Sequence, residues 1–425
     1  MHRSQLSTKV PKTWSPLPRF SSAFALLLLA VLLSVPVSSR MAAQTTENVS
    51  AWGPVVMLGQ AASQDAPALW RRGRQVLAVW TGTQDDRVFQ LAGGIGADGS
   101  TAVESRPLTV RAAFPHSQSL IQATRDVTHL LWLDAESDDQ TDGVRLWSAL
   151  LNVSGEVERG ALRLSKERTY HYDVASVDTQ LVEAVWSEGL TAEPTLYSRR
   201  IDPLGRPRPP RKLATDADWP ALVSGPNNRL MLFWIAQDTT VLMADLTDDG
   251  LQNPQATVTI PFLDTGDHLE SFNAAVDGTH LYLFWNITRA SGTFETFFSS
   301  SPIDSGYWTN PQQVTLSVLP NAFFTTGFNG GEAQRVAEGN RHAAWVTPVR
   351  GQFDVLPVVA QIGGELGVLY FQDGALAAYQ PVAALEAPGL IGMVSFLADR
   401  DRHFDLAWAQ PSQAGYANFS FTSTR

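Results

Sequence analysis

Three features of the chain predict an all-β fold, a single seven-bladed β-propeller of four-stranded antiparallel blades. They are a tryptophan-marked repeat, strand-length segments along the whole chain, and an early strand with no local partner. Seven apolar runs end on tryptophan: "QVLAVW" at Trp80, "THLLW" at Trp132, "QLVEAVW" at Trp186, "RLMLFW" at Trp234, "HLYLFW" at Trp285, "RHAAW" at Trp345 and "HFDLAW" at Trp408. Their spacings are 52, 54, 48, 51, 60 and 63 residues, the length of one four-stranded unit. The last two spacings are the least regular, which leaves six or eight blades as the alternatives.

The same order of elements recurs around each tryptophan. A short first strand lies upstream, as in "PALW" from Pro67, "PALVS" from Pro220 and "NAAVD" from Asn273. A turn leads into the tryptophan strand, which this pattern makes the second of its unit. Third strands follow a polar loop, as in "VRLWSALLN", "TLYSRRI", "TVLMADL" and "VLPVVAQI". Glycine turns such as "DPLGR" and "TDDGL" then lead to fourth strands such as "RKLA" and "TVTI". Runs such as "LMLFW" are apolar at consecutive positions, as expected for strands covered on both faces by neighbouring blades. The final unit stops at its third strand, "YANFSFTSTR", and "WGPVVMLGQ" (Trp52–Gln60) is the only orphan available to complete it. Pairing the two chain ends closes the ring.

Residues 1–39 carry a basic start (Arg3, Lys9, Lys12, Arg19) and then the apolar run Ala23–Val37. This reads as a cleaved signal peptide, with a retained N-terminal membrane anchor over residues 20–39 as the alternative. Residues 40–50 form a linker and residues 51–425 the propeller. Beyond residue 39, 27 bases face 42 acids, a net charge near −15 that argues against nucleic acid and against anionic membrane surfaces. The absence of cysteine excludes disulfides, thiolate metal sites and cysteine nucleophiles, and suits an exported bacterial protein.

The turn between third and fourth strands resembles that of sialidase-type propellers with Asp-box (BNR) repeats, Ser/Thr-x-Asp-x-Gly-x-x-Trp. Asp304, Gly306 and Trp308 come nearest, one residue short, while Asp98–Gly99, Asp202–Gly205 and Asp249–Gly250 keep only the Asp/Gly core. The resemblance spans residues 51–425 as architecture. It implies a sialidase-like glycoside hydrolase with an arginine triad, a Tyr/Glu nucleophile pair and an Asp acid/base. The Arg-Ile-Pro signature of that family is missing, its region reading "DAPALWRRG".

In a propeller, the inter-blade loops and the second-to-third-strand loops share one face, where ligands gather at the channel mouth. Catalytic candidates in those loops are Glu167, Arg168, Tyr170 and Asp173 of "SKERTYHYD", and Asp264, Asp267 and Glu270 of "FLDTGDHLES". Paired carboxylates there would act as acid and base. His171, Tyr172, Asp218, Trp219 and His268 are the ligand-binding candidates, with Phe323, Phe324 and Phe328 as an aromatic platform. Asp134, Glu136, Asp138 and Asp142 place oxygen ligands at alternate positions, as calcium loops do, but without a glutamate at the twelfth position. No other cofactor is expected. There is no G-x-S-x-G elbow, phosphate loop or dinucleotide fingerprint.

The sequence therefore predicts an exported propeller that acts as a binding or interaction module at the cell surface or outside the cell. Its partner is a glycan or a protein, and membrane contact runs only through an uncleaved leader. A sialidase-like hydrolase and a membrane-tethered envelope scaffold are the alternatives.

Overall fold

The computed structural model describes residues 52–424, apart from 62–64, 74, 85–86, 97–100, 109–112, 114, 136–142, 178–180, 237–238, 262–263, 317–340, 386–393, 399–402 and 412–416. The leader and linker therefore lie outside the described residues, as do Glu136, Asp138, Asp142, Phe323, Phe324 and Phe328.

Seven antiparallel blades form one ring, with no α-helix among the described residues. Blade 1 runs Ala68–Arg72, Gln75–Gln84, Arg87–Gly96, Thr101–Pro107, and blade 2 runs His116–Gln122, Val127–Ala135, Val144–Asn152, Val157–Arg163. Blade 3 comprises Thr169–Ser176, Val182–Leu190, Glu193–Ile201 and Arg211–Thr215, and blade 4 Ala217–Ser224, Leu230–Ala236, Thr240–Thr247 and Gly250–Thr259. Blade 5 holds His268–Asp277, His280–Thr288, Phe294–Pro302 and the short Gln312–Gln313. Blade 6 holds Arg341–Pro348, Leu356–Ile362, Glu365–Gln372 and Ala375–Ala384. The first strands touch one another around the ring, and that of blade 1 meets that of blade 7.

Blade 7 is built from both ends of the chain. Val394–Ala398, Phe404–Pro411 and Ala417–Ser423 supply three strands and Val56–Ala61 the fourth, in register Val56 with Phe421 and Ala61 with Ala417. Trp52 extends the pairing to Thr424, and its ring lies 6.5 Å from Phe396 and 6.3 Å from Phe404. The orphan strand is the closure element.

One element departs from the repeat as read. Six of the marker tryptophans stand on second strands, whereas Trp345 stands on Arg341–Pro348, which meets the first strands of blades 5 and 7 and so opens blade 6, with Thr315–Leu316 paired beside it. "LPVVAQI" is consequently the second strand of that blade, not the third. A first strand covered by neighbouring blades is as apolar as a second strand, so "RHAAW" mimics the marker. The enlarged spacings of 60 and 63 residues on either side of Trp345 were the sign of it.

The cores lie between blades. Trp132, Trp186 and Trp285 are at most 1% exposed, and Trp186 and Trp285 stack on Tyr197 and Phe297 across the strand at 6.1 Å. In blades 2 and 3 the tryptophan is followed two residues later by an acid that accepts its indole N–H: Asp134 at 3.4 Å and Glu188 at 2.9 Å. Both carboxylates also clamp the preceding inter-blade loop through backbone N–H groups, Ala113 to Asp134 and Lys166 to Glu188. The Asp-box-like turn of blade 5 sends Trp308 edge-on against Phe233 of blade 4, at 6.0 Å.

His129, on the second strand of blade 2, is fully buried, and neither ring nitrogen has a hydrogen-bond partner among the described residues. Burial pushes its pKa from 6.5 down to about 4, against a smaller upward pull from Asp202. A histidine depressed in the folded state keeps its full contribution above pH 6.5 and loses it as pH falls toward 4. At ~1.4 kcal/mol per pH unit this amounts to about 3 kcal/mol. Urea unfolding at pH 7 and pH 4.5 is expected to show a loss of about 2–3 kcal/mol for the natural chain beyond that of His129→Leu. Equal losses would assign the acid sensitivity elsewhere.

Candidate functional site

First strands begin at the face that also carries the second-to-third-strand loops, and four of them are bulged near that end. Pairing slips between His116 and Ser119, Thr169 and Tyr172, Asp218 and Ala221, and Leu269 and Ser271. A bulge re-aims the side chains it carries. At two of these bulges a residue other than glycine adopts a left-handed backbone: Ser117 with φ 49° and Trp219 with φ 54°. For a bulky side chain that conformation costs on the order of 1–3 kcal/mol and concentrates at functional sites.

The bulges of blades 3 and 4 bring three of the sequence candidates together. His171 places Nδ1 2.9 Å from Asp218 Oδ1, and its ring stacks on Trp219 with centroids 3.5 Å apart and planes 20° from parallel. The same Asp218 oxygen accepts the Trp219 N–H at 2.7 Å and the Ser187 hydroxyl. Burial alone would raise the Asp218 pKa. Hydrogen bonding and charge from His171, with the Ser187 and Trp219 donors, outweigh it and hold the carboxyl below its usual range. An ionised Asp218 draws the proton of a neutral imidazole to Nδ1, which leaves Nε2 as the basic nitrogen. Ser187 is fully buried and donates to Asp218, so the three do not form a nucleophilic triad.

The neighbouring candidates are committed elsewhere. The Tyr170 hydroxyl donates to Gly189 O at 2.7 Å, and the Arg168 guanidinium lies over the Tyr170 ring at 5.5 Å. Glu167 is exposed and faces Lys166. The Tyr172 phenol turns into blade 2, within reach of Ser117 O, Ser119 Oγ at 3.1 Å and Leu131 O at 3.2 Å. Burial raises its pKa, so it stays a donor. Asp173 accepts the Leu222 N–H at 2.7 Å and is held by Arg350, which reaches it from blade 6 on the far side of the ring at 2.5 Å. Arg350 also donates to Val174 O, and the loop that carries it pairs Gln352–Phe353 in parallel with Val276–Asp277 of blade 5. In blade 5, Asp267 bonds Arg289 and Ala290 N, both at 2.8 Å, and Arg289 with these hydrogen bonds keeps its carboxyl below the usual range. Asp264, His268 and Glu270 are exposed beside it.

Of the calcium candidates only Asp134 is described. It is 1% exposed and occupied by Trp132 and Ala113, and no cluster with metal-binding geometry occurs among the described residues. Two participants escaped the sequence reading. Ser187 follows its marker tryptophan directly, a position that the repeat itself places at the mouth. Arg350 lies 177 residues from its partner and carries no local signal.

No family model matches the chain, and no curated protein matches it. Solved structures share the fold. Superposition on the polysaccharide lyase Uly1 gives a TM-score of 0.53 at 9% identity, covering 85% of this chain and 90% of that one. A PL25 ulvanlyase gives 0.51 at 7% identity, covering 88% and 94%. At such identities the likeness is one of fold.

Proposed function

We propose that this chain is an exported propeller that binds a glycan at its mouth, between blades 3 and 4. The observation that carries the reading is the His171–Asp218–Trp219 group, with Trp219 held in a left-handed backbone. An indole offers its face to the C–H side of a sugar ring, and an imidazole and a carboxylate beside it orient hydroxyl groups. The superposable fold of an ulvanlyase bound to -[GlcA(1-4)Rha3S]- makes an acidic oligosaccharide of that kind the first probe. By calorimetry, Trp219→Ala is expected to weaken its binding about tenfold, ~1.4 kcal/mol, with the melting temperature almost unchanged. Equal affinity for the variant and the natural chain would remove the site from blades 3 and 4.

One observation favours a second reading, eliminative cleavage of the same glycan. With Nδ1 turned to Asp218, the basic Nε2 of His171 is the group that abstraction of a proton beside a uronate carboxylate requires. Ultraviolet absorbance of an unsaturated uronate, present with the natural chain and absent with His171→Ala, would select it. Binding without that product keeps the module reading. For hydrolysis of the sialidase kind the carboxylates are less favourably disposed, with Asp173 held by Arg350 and Asp267 by Arg289.

A further inference from the structure

The face opposite the mouth carries a cleft of 380 Å³ between the first-to-second-strand turns of blades 1 and 2. Its walls include Trp70, Arg71, Arg72, Gln75, Gln122 and Arg125. Three arginines around one opening stand out in a chain with an excess of acids. They are not equivalent. Arg71 is anchored by the fully buried Asp405, with Nε 2.5 Å from the carboxylate, and donates its remaining nitrogen toward Gly73 O at 3.4 Å. Arg72 gives one terminal nitrogen to the exposed Asp126 and keeps its other donors. Arg125 is exposed and has no ion-pair partner among the described residues.

Trp70 belongs to the core between blades 1 and 2. It is 6% exposed, lines the cleft, and its indole N–H has no acceptor among the described residues. A buried donor left unpaired costs on the order of 1–3 kcal/mol. Trp52, Trp80, Trp285 and Trp408 share the buried, unpaired indole in the other inter-blade cores. The walls offer two guanidinium groups with free donors and two side-chain amides. The nearest acids, Asp126 and Asp405, are already paired. Such a donor-rich wall suits an oxyanion, because a guanidinium fork matches two oxygens of a carboxylate, sulfate or phosphate.

We propose that this cleft is a second binding site, for an oxyanion held between Arg72 and Arg125. The group arrives either as a free inorganic ion or as the acid function of a sugar. It lies on the face away from His171 and Trp219, so it stands or falls apart from the mouth.

Calorimetric titration of the full chain at constant ionic strength, with sodium sulfate, sodium phosphate and sodium glucuronate as probes, tests it. At least one probe is expected to bind, and Arg125→Gln and Arg72→Gln are each expected to weaken it tenfold or more. Trp219→Ala is expected to leave it unchanged. Tighter binding of glucuronate than of the inorganic ions identifies a sugar acid, and the reverse order a free ion. No heat with any probe would overturn the proposal, as would equal affinity for Arg125→Gln and the natural chain. Arg125 is exposed, so its variant keeps the fold and the comparison stands.

Discussion

A chain that begins at Ala61 is expected to melt about 10 °C or more below one that begins at Ala51. The difference is the strand that closes blade 7. Five register positions from Val56 to Ala61 pair with the last strand, and Gly53 adds bonds to Ser423 and Thr422. At about 1 kcal/mol net per hydrogen bond, this pairing contributes about 5 kcal/mol. Trp52, packed against Phe396 and Phe404, contributes about 3 kcal/mol more. Truncation also bares Ala417–Ser423 as an open edge, so aggregation on heating is expected with the lower melting point. Scanning calorimetry of the two chains decides. Coincident melting would mean that the ring holds without its terminal strand.

Glu183→Gln is expected to destabilise the fold by about 3–5 kcal/mol, the cost of removing one partner from a buried ion pair. Glu183, on the second strand of blade 3, is fully buried and accepts Arg200 Nε at 2.8 Å and Arg211 Nη2 at 2.9 Å. Those arginines stand on the third and fourth strands. Arg200 also meets Asp248, and Arg211 donates to the carbonyls of Thr247 and Asp248 at 2.7 Å, in a turn of blade 4. One carboxylate thereby bridges two guanidinium groups, and with them ties three strands of one blade to the next. Glutamine keeps the shape and leaves those cations without a buried counter-charge. Lys166→Ala, in the exposed Lys166–Glu167 pair, is the contrast, expected to change stability by less than ~0.5 kcal/mol. Urea midpoints at pH 7 check both, and a loss under 1 kcal/mol for Glu183→Gln would contradict this role.

The architecture was legible because a propeller repeats its physics. Consecutive apolar residues such as Leu130, Leu131 and Trp132 mark strands covered on both faces, and the distance between such runs gives the blade. Closure could be read because a strand without neighbours must pair at long range. Trp345 misled because a short apolar run ending on tryptophan also occurs on a first strand, where Trp345 is only half-buried. The site was legible only as a neighbourhood. Inter-blade loops pointed to His171, Asp218 and Trp219, yet their convergence depends on two bulges whose slipped pairing leaves no mark in composition. The commitments of Tyr172 to blade 2 and of Asp173 to blade 6 rest on contacts 55 and 177 residues apart, beyond any local pattern.

Arg350 spans the ring from blade 6 to Asp173 and Val174 of blade 3, and the loop that carries it lies along the first strand of blade 5. One side chain thus bridges the propeller from blade 6 to blade 3. On the reading proposed above, a glycan at His171 and Trp219 would meet this arginine before passing through the ring, and so would lie across the rim. Recognition of that kind would read an internal stretch of a glycan as readily as its end.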